Sequence, residues 1–492
     1  MNGFVGKVTL GMLLARFPGF KHLHMLMRAK RGVSPRERFE KDVLPSPCLQ
    51  PIVAQTDPAV LRDKIAMHAG DVGEPLCGLS PQSIEELKGR VSLVINIAGL
   101  VEFTPPVDES FKSNVDGVEN VLELATLLNA RLVHVSTCFV CGESDGLVEE
   151  DEPISGFYPR RKSHADNSFR PRDEIRFIRE RVSAVYEEAK VLAAKGRENP
   201  RETRQKLADL GLQRAQQWGW VNTYTYSKSL GEQLIATEPG LEYSIVRPAI
   251  VEAALDFPFP GWVEGGRTAA PLVMMAMSGL RHWALQAKAP MEVVPVDQVA
   301  AAILTAAVLL LHGKAHPVYQ LGTADRNPVA WENLVDWMWR DYCKNTGRPR
   351  RLTPGPKILR LDVHRKHARK LASRIELLYA VTSGLKSILQ RAKFPGSKPV
   401  GKFSSRMRNL GRQLAIRESA LAIYRPFMYD NRFVFESENI RAANAMLSEE
   451  DRRRLPWAPE HIDWRRYWCD NEVKGIQKWV EGDAAKGRSF RI

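Results

Sequence analysis

The chain has 492 residues, 44% hydrophobic and 26% charged, with a formal net charge of +14. That length and balance describe a globular protein of two or three domains rather than a disordered or fibrous one. Six cysteines in so long a chain make no disulfide framework, which suits a reducing, cytoplasmic compartment. No secretory signal is visible, and the longest apolar run, Ala300 to Leu311, falls short of the roughly 20 residues a bilayer crossing needs.

The chain opens at Met1-Asn-Gly-Phe-Val-Gly-Lys7 and runs into a helix, since Leu10, Leu13, Leu14 and Phe17 recur at helical spacing before Pro18-Gly19 stops it. His22 to Met27 reads as a buried strand, followed by Arg28-Ala-Lys-Arg31. Ile65 to His68 is a short strand that ends in Gly70-Asp71-Val72. Ser92 to Gly99 is nearly all apolar, as parallel strands buried on both faces are. Asn114 to Leu128 reads as a helix, Leu132 to Thr137 as the next strand, and Tyr243 to Pro248 as the one after. Strands alternating with helices predict an α/β fold with a doubly wound parallel sheet. Between about 155 and 220 a charged, helix-prone segment interrupts the alternation and reads as a helical insertion, either a wall over a substrate cleft or a solvated spacer. Val293 to Asp297 and Val318 to Gly322 read as two further strands.

Beyond Arg348 the composition shifts. Residues 348–417 hold nineteen lysines and arginines against two acids, a local net of +17, which leaves about −3 for the rest. The expected division is therefore an α/β domain over 1–345 and a basic, mainly helical region over 346–492, whose Trp-rich tail from Phe433 is charge-balanced.

Asn222-Thr-Tyr-Thr-Tyr-Ser-Lys228 places Tyr224 and Lys228 one helical turn apart on a shared face. A phenol beside an ammonium is a proton donor for a carbonyl that receives a hydride, and the charge is expected to lower the tyrosine pKa. The pair also recurs by chance on ordinary helices, so its neighbours decide its weight. Thr137, at a strand end, offers a hydroxyl to the same carbonyl. Gly3-Phe4-Val5-Gly6 is the second half of a G-x-x-G-x-x-G loop, whose glycines let backbone approach a pyrophosphate at a helix start. Arg28, with Arg31 and Arg38 nearby, stands where an acid would bind an adenosine ribose, and cations there suit the 2′-phosphate of NADP(H). Asp71 lies on the adenine side, and Asn114 opens a predicted helix, where capping is its simplest role. Cys138 and Cys141 form a lone C-x-x-C that reads as a strand end, with no metal site expected.

Taken in order, the glycine loop, Arg28, Gly70-Asp71, Asn96-Ile-Ala-Gly99, Asn114-Val-Asp-Gly117, Val135-Ser-Thr137, Tyr224-x-x-x-Lys228 and Val246-Arg-Pro248 resemble the extended short-chain dehydrogenase/reductase superfamily. With Leu26-Met-Arg-Ala-Lys-Arg-Gly32, His134-Val-Ser-Thr137 and Pro258-Phe-Pro-Gly-Trp262 the chain resembles the fatty acyl-CoA reductases of the male-sterility type. Ile250 to Leu255 and the Leu455-Pro-Trp tail look like the bacterial alcohol-forming branch. The resemblance implies NADPH-dependent reduction of long-chain acyl-CoA to aldehyde or primary alcohol. Thr137, Tyr224 and Lys228 would be catalytic, and Val72, Ala98, Gly99, Pro248 and Ile250 would join the cofactor residues. Such families begin with a strand and Thr-Gly-x-x-Gly. Here Met1-Asn2 stand in the two positions before the second glycine, so a first, central strand is expected to be missing, Met1 to be an internal methionine, and cofactor affinity to suffer. A sterol or sugar-nucleotide reductase and a non-catalytic membrane scaffold are the competing readings. The basic region, its cations interleaved with aliphatics, suits peripheral contact with an anionic membrane. It carries no nucleic-acid motif, so no nucleic acid is expected as a partner.

Overall fold

The computed structural model describes residues 2–28, 32–266, 268–347, 354–391 and 397–481. The chain parts into two compact units, the first formed by Met1–Gly265, Glu292–Pro328 and Phe433–Asp483. The second holds Gly266–Met291 and Val329–Arg432.

In the first unit six strands run parallel: β1 (Leu23–Met27), β2 (Ile65–Ala69), β3 (Leu93–Asn96), β4 (Arg131–Val135), β5 (Tyr243–Pro248) and β6 (Val318–Leu321). They hydrogen-bond as two sheets, β2-β1 and β3-β4-β5-β6 in spatial order. In the doubly wound order 3-2-1-4-5-6 the central strand stands between the counterparts of β1 and β3. The sheet divides at that position. Leu93, Val94 and Ile95 of β3 are accordingly only half-buried, although their sequence is that of an interior strand.

Helix α1 (Phe4–Arg16) starts at Gly3 and ends before Pro18-Gly19. The expected helix from Asn114 begins elsewhere. Asn114 closes α2 (Val107–Asn114), Val115 leaves helical geometry at φ −118°, ψ −67°, and α3 (Asp116–Leu128) follows. The insertion is a helical hairpin, α4 (Pro171–Ala194) and α5 (Pro200–Trp218), each opened by a proline in its first turn. Gly219, at φ +100°, ends α5 in the left-handed region that favours glycine, and the chain passes into α6 (Thr223–Ala236). Helix α7 (Val296–Leu311) carries the long apolar run and is buried along nearly its whole length.

The division expected at 345/346 is not where the units part, because residues 266–291 join the second unit and the tail returns to the first. The tail returns through buried polar pins. The Glu292 carboxylate accepts from Phe435 N (2.7 Å), Glu472 from Ala253 N (2.9 Å), and Tyr467 donates to Ala253 O (2.6 Å). Phe433 and Phe435 each pack edge-on to Phe139 with ring centroids 5.2 Å apart.

The second unit is dominated by an antiparallel hairpin of two long helices, α8 (Leu361–Arg391) and α9 (Ser397–Arg425). It also holds helices Ala270–Met277 and Trp331–Asn345 and a short parallel pair, His282–Ala284 with Lys357–Leu359. Among the described residues no helix is long and apolar enough to cross a membrane.

Candidate active site

Helix α6 organises the site. Its start is fixed by Asn222, whose side chain accepts from Thr225 N at 2.9 Å. A buried bidentate pair, Arg247 of β5 with Glu232 at 2.6 Å, clamps its far end to the sheet. The ends of β4 and β5 complete the frame. Thr137 lies two residues past β4, extended and buried, and its hydroxyl accepts from Phe139 N (3.3 Å) and donates to Pro248 O (3.2 Å). The Tyr224 phenol lies close enough to the same hydroxyl for it to oppose the rise of the phenol pKa. The two predicted hydroxyls therefore approach each other, although 87 residues separate them.

Lys228 is 3% exposed. Its Nζ donates to Val135 O at 2.7 Å and lies 3.2 Å from His134 Nε2. Burial pushes its pKa down to about 8, against the opposing charge of Glu232. The expected depression of the tyrosine pKa is not found. Burial instead pushes Tyr224 up to about 12, the Thr137 hydroxyl opposing it. Tyr224 is thus a fully protonated phenol at neutral pH, and the lysine amine is bonded to β4.

Asn114 caps no helix. Its Oδ1 accepts from Leu100 N (2.9 Å), and its Nδ2 donates to Leu100 O (3.0 Å) and Ser227 Oγ (3.0 Å). It ties the turn at Gly99 to α6. A side chain at Gly99 would lie 3.1 Å from Asn114 Oδ1 and 3.7 Å from Lys228 Nζ, so glycine leaves that corner open. Ala98 N donates to Asn96 Oδ1 at 3.1 Å.

At the other end, Arg28 and Asp71 form an ion pair at 3.0 Å. Asp71 also accepts from Gly73 N at 3.0 Å. Val72 packs beside Gly117, and its carbonyl accepts from Asn120. Arg38 donates to Arg28 O and pairs with Asp42 at 3.3 Å, so it buttresses the Arg28 backbone. Arg31 lies outside the described residues. Ile250 is in a short strand paired with Val293–Pro295, and its N donates to Glu292 O.

The residues fit a dinucleotide. The first turn of α1 presents the N–H groups of Phe4, Val5 and Gly6 with no acidic residue and no side-chain cap, and nothing lies within 4 Å of a Cβ built on Gly3. Ser136 Oγ, beside Thr137, is buried without a hydrogen-bond partner. Cys138 lies in the turn Cys138–Cys141, and its thiol donates to Arg247 O at 2.7 Å.

Sequence reasoning passed over His134 and Asn96 as site residues. The signal was there. A histidine inside the apolar strand Leu132-Val-His-Val135 needs a partner once buried.

The male sterility protein family profile matches residues 1–303. The chain is 26% identical to fatty acyl-CoA reductase 2, chloroplastic, of Arabidopsis thaliana, covering 99% of this chain and 78% of that protein. It is 25% identical to the alcohol-forming fatty acyl-CoA reductase of Simmondsia chinensis, covering 97% and 95%. Among solved structures, the terminal R domain of the myxalamid PKS-NRPS pathway superposes with a TM-score of 0.55 at 16% identity, covering 100% of this chain and 90% of that one. The reductase domain of a non-ribosomal peptide synthetase from Mycobacterium tuberculosis gives 0.52 at 17%, covering 98% and 90%. Those two likenesses speak to the fold alone, a Rossmann-type α/β fold, and the matched profile, which spans more than half of the chain, shows that it belongs to the male sterility protein family.

Proposed function

We propose that this protein reduces the thioester carbonyl of a long-chain fatty acyl-CoA, releasing coenzyme A and giving a fatty aldehyde and, after a second reduction, the primary alcohol. The observation that carries the reading is the approach of the Tyr224 side chain, on the helix that also carries the buried Lys228, to that of Thr137, in a chain related along its length to acyl-CoA reductases. NADPH, when bound, supplies the hydride. Gly3, Phe4, Val5 and Gly6 would hold its pyrophosphate, Arg28 its 2′-phosphate, and Asp71 with Val72 its adenine. Ala98, Gly99, Pro248 and Ile250 would line the nicotinamide end, and Asn114 keeps that wall in place. Tyr224 donates its proton to the carbonyl oxygen, and Thr137 hydrogen-bonds the same oxygen as charge develops there. Lys228 fixes the ribose.

The second unit supports a peripheral role at anionic lipid. Leu371, Leu377, Leu378, Val381, Leu385 and Ile388 of α8 are all exposed and fall within an arc of about 120°. Lys370 and Arg374 fall within that arc and Lys366 just outside it, so cations are interleaved with the exposed aliphatics, as suits a helix on an anionic bilayer surface where acyl substrates concentrate.

Purified protein given a long-chain acyl-CoA and NADPH should release coenzyme A. Two cofactors oxidised per coenzyme A identify the alcohol as product, and one identifies the aldehyde. Turnover of a sterol or sugar nucleotide with none of acyl-CoA would sink the reading, and equal use of NADH would sink the cofactor assignment.

A further inference from the structure

His134 stands in the middle of β4, fully buried, between two other polar side chains. On one side Asn96, its register partner on β3, places Nδ2 3.2 Å from Nδ1 of the imidazole. On the other side Lys228 Nζ lies 3.2 Å from Nε2. As the structure stands, one orientation of the Asn96 amide satisfies both of its neighbours. Ala98 N–H can only donate, so Oδ1 must face it, and the amide NH2 must face His134. Nδ1 of His134 therefore accepts. A neutral imidazole with Nδ1 accepting carries its proton on Nε2, and that N–H points at Lys228 Nζ. An N–H facing an ammonium is a contact between two donors. It becomes a hydrogen bond only when the amine offers its lone pair.

We propose that His134 is a positioning residue for Lys228: Asn96 as oriented in the structure selects its Nε2–H tautomer, this N–H is accepted by the Lys228 amine, and the charge of Lys228, the tautomer of His134 and the orientation of the Asn96 amide change together. The proton balance is explicit. When Lys228 is an ammonium it donates to Nε2, the imidazole proton sits on Nδ1, and the Asn96 amide turns its oxygen from Ala98 N–H to receive it. When one proton leaves the pair, the proton that remains is on Nε2, Lys228 is a neutral amine, and the amide turns back towards Ala98. Val135 O accepts from Nζ in both states.

Few groups compete for control of this switch. Glu232, on the same helix, favours the charged lysine but is itself paired with Arg247 of β5. Tyr224 on α6 lies close to the Thr137 hydroxyl, and Asn114 of α2 and Asn96 of β3 are uncharged. Burial and the neighbouring lysine hold the His134 imidazole well below its ordinary pKa, so it stays neutral while its tautomer changes. Burial also pushes Lys228 down to about 8, which puts the change within reach of experiment. The consequence rests on the reductase reading: a lysine held near its titration point can hold the ribose as a cation at lower pH and release that charge as pH rises.

The test is nitrogen NMR on full-length protein labelled with 15N-histidine, between pH 6 and 10, with the His134 signal identified by its loss in His134→Gln. The expected result is Nε2–H at pH 10, converting to Nδ1–H with a midpoint near 8, and no such conversion in Lys228→Met. In Asn96→Asp, whose carboxylate accepts from Nδ1–H, the midpoint should move up by about a unit or more. A His134 that keeps one tautomer throughout overturns the proposal, and so does one that becomes imidazolium near pH 6.5. Should His134→Gln not fold, Asn96→Asp identifies the His134 signal instead, as the one whose midpoint it moves. None of these signals needs substrate or cofactor, so an inactive protein with the tautomer change refutes the reductase reading alone.

Discussion

Helix α6 and the hairpin of α8 and α9 both carry cations, and they dispose of them in opposite ways. On α6, Lys228 is 3% exposed and bonded to His134 and Val135, and Glu232 is paired with the buried Arg247. On α8, His364 is the only buried residue. Leu377 (66%), Val381 (59%) and Ile388 (64%) stand in solvent among the lysines and arginines. Burying a charge costs several kcal/mol unless partners replace the lost water, so a fold retains it where geometry must be fixed. Exposed cations keep their hydration and are free to meet an external anion. The first region therefore positions chemistry, and the second offers a surface.

The largest effect should come from the acid on α6. Tyr224→Phe removes the donor and leaves the helix intact, so turnover should fall about 10²-fold or more with NADPH binding nearly unchanged. Near-normal turnover, measured beside a binding isotherm, would dissolve the contrast between the two regions from the catalytic side.

The next tests the hairpin. Charge reversal at Arg365, Lys366, Arg369 and Lys370 should lower co-sedimentation with anionic vesicles at least about tenfold, since each cation near such a surface contributes about 1 kcal/mol. Turnover of a short, soluble acyl-CoA should not change. Binding by the native protein should fade as salt shortens the Debye length from about 10 Å, whereas buried pairs such as Arg247–Glu232 are screened much less. A raised Michaelis constant for the soluble substrate would instead make the hairpin a coenzyme A site.

A smaller effect is expected at Arg28. It is 63% exposed and already paired with Asp71, so it lies between the two extremes. Arg28→Ala should weaken NADPH about tenfold more than NADH, through loss of one charge-assisted contact to the 2′-phosphate. Equal losses in titrations of both cofactors would give Arg28 a structural task.

What could be read from the sequence follows from distance along the chain. Tyr224 and Lys228 are one turn apart, and Thr137 follows an apolar run, so local spacing revealed all three. Six strands and the helical insertion were legible for the same reason. Asn114 was misread because Val115 interrupts what looks like one continuous helical pattern. The tyrosine pKa was misjudged because spacing shows that two side chains share a face but not where burial and a neighbouring strand aim them. His134 reaches Lys228 across 94 residues and Glu292 reaches Phe435 across 143, contacts that no local pattern encodes. The return of the tail to the first unit was hidden in the same way.

The smallest functional effect sharpens the comparison within α6 itself. Tyr226 is two residues from Tyr224 and about 200° around the helix, so it faces away from Lys228. It is fully buried and donates to Glu174 of α4 at 2.5 Å, and Glu174 is held in turn by Arg214 of α5 at 2.6 Å. The charged hairpin of the insertion is thus fastened to α6 through a phenol on the face opposite Tyr224. Glu174, Ile175 and Ile178 are buried against the core, so the base of α4 is packed, while its distal half stands in solvent. Tyr226→Phe removes one hydrogen bond to a carboxylate that keeps its arginine, which should lower unfolding free energy by about 1–2 kcal/mol in denaturant titrations. Turnover should stay within about twofold, because ring packing against Trp220 and Phe111 survives the change. A collapse of turnover without loss of stability would transfer the proton donor from Tyr224 to Tyr226, and would require the Glu174 side of the helix to be the catalytic one.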